Sequence, residues 1–210
     1  MVPEAHGDRW HDGHVALGSM PPAATWRHHG ARQGFESVFV QADPTGYRLE
    51  GHTAAVVDGQ VWAVRFTVTL DERWLTRSAT AWGRTADRAT EVHLEADGRG
   101  RWEVDGAPAP ALDGCLDVDF ESSACTNTLP VHRLGLEVGQ AADAPAAWVR
   151  ALDLSVQRMD QWYARVADDG PRPQYDYRAA WAPSGEFACR LVYDEAGMVL
   201  EYPGIGSRIT

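Results

Sequence analysis

The chain contains no lysine; its 19 basic residues are all arginine. That absence excludes the phosphate clamp of a P-loop, a Schiff base to pyridoxal phosphate and the strand lysine of a protein kinase. Positive charge is scarce altogether. Thirty Asp and Glu leave a formal net charge of -11. Displacing counterions from nucleic acid, or attraction to an anionic membrane, needs a basic surface, so neither partner is expected. Cysteine is sparse too. Cys115, Cys125 and Cys189 form no C-x-x-C pair, which excludes a zinc ribbon or a thioredoxin motif and predicts buried free thiols in a reducing compartment. No run of about 18 apolar residues occurs, so no transmembrane helix is expected. G-x-S-x-G, H-E-x-x-H and G-x-G-x-x-G are all missing, and no cofactor is expected. The opening "MVPEAHGDRWHDGH" lacks an apolar h-region, so no secretory signal is expected and the cytoplasm is the default location.

What is present is a chain of 210 residues, 44% hydrophobic, enough for one sizeable domain with a real core. Its nine Trp, spread from Trp10 to Trp181, supply large apolar anchors with a polar N–H. Residues 1–24 read as a polar N-terminal extension, and residues 25–210 as a single domain. The extension carries His6, His11 and His14 among Asp8 and Asp12. These are metal-ligand types, but three ligands on a loosely ordered leader carry no fixed geometry, so no metal site is expected.

From Trp26 onward the hydrophobic pattern has mostly period two. In "VWAVRFTVTL", Trp62, Val64, Phe66, Val68 and Leu70 fall on one face, with Val61, Ala63, Arg65, Thr67 and Thr69 on the other. Asp and Gly at 43–46, 58–59, 97–98 and 194–197 punctuate such segments as turns, because both tolerate positive φ. Many short strands joined by tight turns imply antiparallel pairing and an all-β barrel, roll or sandwich. One segment resists. In "AAWVRALDLSVQRMDQWYARVA", Trp148, Leu152, Val156, Met159, Tyr163 and Val166 recur at helical spacing, whereas Leu152, Leu154 and Val156 alternate as in a strand.

"CLDVDFE" places Asp117 and Asp119 on one face of a strand, about 6.5–7 Å apart. That separation suits the two carboxylates of an inverting glycosidase, with His132 as a proton carrier and Arg133 as an anion clamp. Spacing alone is weak evidence for that chemistry, because carboxylates alternate on the wet face of many antiparallel strands, and Asp117 or Asp119 would then simply pair with Arg133 or accept backbone N–H bonds at the turn. "TNTLP" then reads as a corner between "CLDVDFE" and a second strand, "VHRLGLEV". Asn127 would bond its own backbone, and Pro130 would hold Leu129 extended.

"GRWEVDG", "GCLDVDF", "TNTLPVHRLGL", "YDYRAAW" and the closing "FACRLVYDEAGMVLEYPGIGSRI" together resemble the putative glycolipid-binding family, the spiral β-roll proteins of bacteria. The resemblance covers about residues 26–210. It departs from the usual pattern at "ESSAC" and at His132. It implies one antiparallel meandering sheet wound into a roll or barrel around an internal cavity, with 148–166 as strand. It also implies a small amphiphilic ligand such as a glycolipid or fatty acid. On that reading an acyl chain lies in the interior against Trp62, Phe66, Trp82 and Trp102. A sugar head sits at the mouth, bonded by Asp117, Asp119, Asn127 or Arg133 and stacked on Tyr175, Tyr177 or Tyr202. Two other readings stay open: a hydrolase using Asp117, Asp119 and His132, and a roll filled outright by its tryptophans.

Overall fold

The computed structural model describes residues 17–30, 32–169 and 172–209. His6, His11 and His14, with Asp8 and Asp12, lie outside the described residues. The first half of the chain is a meander of eight strands: β1 (Ala23–His28), β2 (Arg32–Asp43), β3 (Gly46–Val57), β4 (Gln60–Asp71), β5 (Thr76–Thr85), β6 (Ala89–Ala96), β7 (Trp102–Val104) and β8 (Ala107–Pro108). A short strand, β9 (Asp117–Phe120), and one helix, α1 (Thr128–Leu134), follow. The second half contains β10 (Ala141–Asp143), β11 (Ala146–Val149), β12 (Val156–Asp169), β13 (Arg172–Trp181), β14 (Gly185–Tyr193), β15 (Val199–Tyr202) and β16 (Gly206–Ile209).

All these strands form one sheet. β1 pairs with β16, so the first and last described strands meet at its centre, and the meander unrolls from there in both directions. Every described pairing is antiparallel except β9 with β11. The sheet winds back on itself without closing. Thr76 at the head of β5 donates its N–H to the Leu116 carbonyl (3.2 Å), and its hydroxyl accepts from Val118 N–H (3.1 Å).

Local chemistry explains the winding. On β4 the buried positions are Trp62, Val64, Phe66, Val68 and Leu70, the alternation the sequence predicts. Asp58 (φ 49°) and Gly59 (φ 76°) take the two left-handed positions of a tight hairpin turn. Gly51 has a different task. A Cβ there would fall 2.0 Å from Cζ of Phe66, so only glycine lets that ring lie over the β3 backbone. Phe66 uses the space to stack on Phe120 (centroids 4.5 Å, planes 11° apart), and burying each ring contributes about 1.5–3 kcal/mol. Cys115, Cys125 and Cys189 are free. Burial pushes Cys115 up to about 11 and Cys189 up to about 12, which favours the neutral thiol over the thiolate at both.

Of the two patterns across 148–166, the strand is realised, as the resemblance implies. β11 ends at Val149, a turn follows, and β12 runs on as strand, its inward side chains being Met159, Gln161, Tyr163 and Arg165. Two of those four are polar, which obscures a period of two. One local expectation is corrected: "VHRLGLEV" is not a strand. Residues 128–134 form α1, with Gly135 (φ 55°) as its left-handed C-cap. Pro130 lies in the first helical turn, where a backbone N–H has no intrahelical partner to lose, so Leu129 is helical and not extended.

Candidate functional site

β9 is buried on both faces and divides the interior of the roll. One face, Val118 and Phe120, closes against β4 and β5, and the space beneath the first meander is filled with apolar side chains. The other face, Asp117 and Asp119, looks toward α1 and β12–β15, where the interior is polar and partly open. The wet-face expectation for the two aspartates is therefore corrected: they are 1% and 6% exposed.

The two carboxylates meet different fates. Asp117 takes a bidentate grip from Arg133, with Nε at 2.9 Å and Nη2 at 2.6 Å. Burial pushes its carboxyl upward, and Arg133 opposes that shift. Asp119 accepts from the Thr126 hydroxyl (2.5 Å) and from Gln161 Nε2 (2.8 Å), and has no basic partner among the described residues. Burial raises it to about 6 despite those bonds. The same Gln161 nitrogen reaches the Tyr177 hydroxyl at 3.0 Å. Asn127 does not bond its own backbone. Its Oδ1 accepts from Tyr163 (2.8 Å) and its carbonyl from Tyr193 (3.1 Å).

Above Asp119 lies a cavity of about 170 Å³. Trp148, Met159, Trp181 and Phe187 make its apolar wall, while Asp119, Asn127, Tyr177 and Tyr202 supply polar groups. It opens at the end of the roll that holds the β11–β12, β13–β14 and β15–β16 turns. Arg32, Glu121 and Arg150 stand at that mouth. Larger hollows of about 740 and 610 Å³ are open furrows. The smaller cavity combines a buried carboxylate, phenols and an aromatic wall, the composition of a ligand site.

Four of the residues predicted from sequence come together here: Asp119, Asn127, Tyr177 and Tyr202. The others are placed elsewhere. Phe66 is packed under Phe120. Trp102 is buried, donating Nε1 to the Cys115 carbonyl at 2.8 Å. Trp82 sits on the outer face of β5 under the Arg65 guanidinium (4.1 Å). Trp62 is buried below Arg32 without lining the cavity. Tyr175 and His132 border a separate hollow of about 300 Å³ with Arg165, whose guanidinium is committed to Asp168 and two backbone carbonyls. His132 also stacks on Trp74 (3.8 Å), and burial lowers it to about 4. Asp117, Asp119 and His132 therefore share no cleft. Sequence reading missed Trp148, Trp181, Phe187, Arg32 and Arg150 as cavity residues. No local pattern separates them from ordinary strand residues.

Glu36 and His28 lie in the same half of the roll. Glu36 is fully buried, accepts from Ala124 N–H (2.7 Å) and from the Ser123 hydroxyl, and burial raises it to about 7. His28 is 4% exposed, both ring nitrogens lack a partner among the described residues, and burial lowers it to about 4.

Among the described residues no helix is long and apolar enough to cross a membrane. No curated protein matches the chain. Among solved structures, a DUF1089 family protein from Pseudomonas aeruginosa is 31% identical, with a TM-score of 0.71, over 88% of this chain and 95% of that one. A β-barrel-like protein of the domain of unknown function DUF1849 from Brucella abortus is 13% identical, with a TM-score of 0.52, over 93% and 98%, a likeness of fold alone. The family described as putative glycolipid-binding matches residues 23–208. That span takes in all but the last residue of the wound sheet, with β9 and the cavity beside it, and the chain belongs to the putative glycolipid-binding family.

Proposed function

We propose that the chain is a non-catalytic binding module for a glycolipid-like amphiphile, and that it takes the sugar head, not the acyl chain, into its cavity. The observation that carries this reading is the lining. Trp148, Trp181 and Phe187 offer faces on which the C–H side of a sugar ring stacks, and Asp119, Tyr177 and Tyr202 offer partners for its hydroxyls. These groups already bond one another and their neighbours, and a sugar's hydroxyls would add bonds to their remaining lone pairs where an acyl chain would add none. Size argues the same way. About 170 Å³ holds roughly six water volumes, the room of one pyranose ring, and is well below the roughly 300 Å³ of pockets that enclose a whole drug-sized ligand. This orientation reverses the one expected from sequence, because the space meant for the tail is filled by Phe66, Phe120 and their neighbours.

The three free thiols fit a reducing compartment, and the cytoplasm is the location proposed. Native mass spectrometry of the purified protein, followed by solvent extraction and lipid analysis, tests the reading. A discrete co-purifying species carrying a sugar is expected. A clean mass that no alkyl glycoside shifts would overturn it.

A further inference from the structure

The two arginines at the cavity mouth are held in a way that a neutral sugar does not require. Arg32 donates Nη1 to the Glu121 carbonyl (2.6 Å), and Arg150 donates Nε to the Glu121 carboxylate (3.0 Å). One residue thus spaces both guanidinium groups. Each also lies over an indole, Arg32 on Trp62 (5.4 Å) and Arg150 on Trp148 (4.6 Å). Of the carboxylates nearby, Glu121 is shared between Arg150 and Ala151 N–H (2.8 Å), which leaves the Arg150 Nη groups without a bond among the described residues, while Glu36 takes Ser123 and Ala124, and Asp119 takes Thr126 and Gln161. Arg32 forms no ion pair among the described residues, and that single bond leaves its other N–H groups for the cavity it lines.

From this we infer that Arg32 and Arg150 form an oxyanion clamp, and that the ligand's head carries an acidic group, a phosphate or carboxylate attached to the sugar. The inference rests on the head-in reading above. A guanidinium presents parallel N–H donors that match two oxygens of one acid group, and two pre-positioned guanidiniums lose little freedom on closing around it. The net charge of -11 makes general attraction of anions unfavourable, so recognition of an acidic head needs such a local device.

The test is calorimetric titration of the full chain with octyl β-D-glucoside, octyl β-D-glucuronide and inorganic phosphate, the glycosides below their micelle-forming concentrations. The glucuronide is expected to bind about tenfold more tightly than the glucoside at low salt, and 0.5 M NaCl should erode that preference. Arg150→Gln is expected to bring the ratio of the two affinities toward one. The salt series on the unmodified protein keeps the test valid should that variant fail to fold. Equal affinity for both glycosides would overturn the clamp and leave the sugar-head reading standing. Binding of neither would overturn both. Phosphate alone binding as tightly as the glucuronide would make this a free-anion site and overturn its assignment to the ligand's head.

Discussion

Gln161 on β12 donates its side-chain N–H to Asp119 on β9 across 2.8 Å, linking the strand inside the roll to its wall. The bond positions the buried carboxylate of the cavity wall. Gln161→Leu leaves Asp119 with Thr126 and the protein framework around it. The variant is expected to lose about 1–3 kcal/mol in urea unfolding. Removing a donor also raises a carboxyl already at about 6, so the loss should be larger at pH 8 than at pH 5. An unchanged midpoint at both pH values would mean that the bond contributes nothing.

Glu36 stands at about 7 in the fold against an ordinary 4.5. A carboxyl raised by folding favours the protonated native state. Its contribution is complete below about 4.5 and is lost as pH rises through about 7. Glu36→Gln keeps the shape, with the amide oxygen accepting from Ala124 N–H and the amide nitrogen donating to Ser123. Relative to the parent, the variant should gain roughly 2–3 kcal/mol between pH 5 and pH 8. Parallel stability–pH curves for the two proteins would contradict this account of Glu36.

His28 has the opposite sign. Burial lowers it to about 4 from 6.5, so its neutral form contributes stability above about 6.5, lost as pH falls through about 4. His28→Leu removes both unpartnered ring nitrogens. It should match or exceed the parent at pH 7 and flatten the fall in stability toward pH 4 by about 3 kcal/mol. Greater acid sensitivity in the variant would mean that His28 has a partner when folded.

Gly51 and Phe66 are a steric pair, since a Cβ at 51 would enter the ring. Gly51→Ala should cost about 1–3 kcal/mol, and adding Phe66→Leu should recover part of that loss. Simple additivity of the two substitutions in thermal unfolding would place the strain elsewhere.

The outer meander was legible because its physics is local. β4 alternates strictly, and Asp58-Gly59 needs no distant partner to turn the chain. What escaped was set by residues far apart in sequence. "CLDVDFE" has the pattern of a half-exposed strand, but its aspartates are satisfied by Arg133, Thr126 and Gln161, so the strand is buried on both sides. "TNTLPVHRL" has no apolar stripe long enough to declare a helix of seven residues. The cavity drew Trp148, Trp181, Phe187 and Arg32 from four separate strands or their ends. Four of the residues picked from sequence line it, Asp119, Tyr177 and Tyr202 from strands and Asn127 from the turn before α1.

On the proposed function the cavity takes the sugar head and leaves the acyl tail outside. Calorimetric titration with methyl, butyl and octyl β-D-glucosides tests it most directly. If the head enters, affinity should change little along the series. If the tail enters, each added methylene contributes about 0.8 kcal/mol, roughly a fourfold gain per carbon until the cavity is full. A flat series supports the account, and a steep one contradicts it.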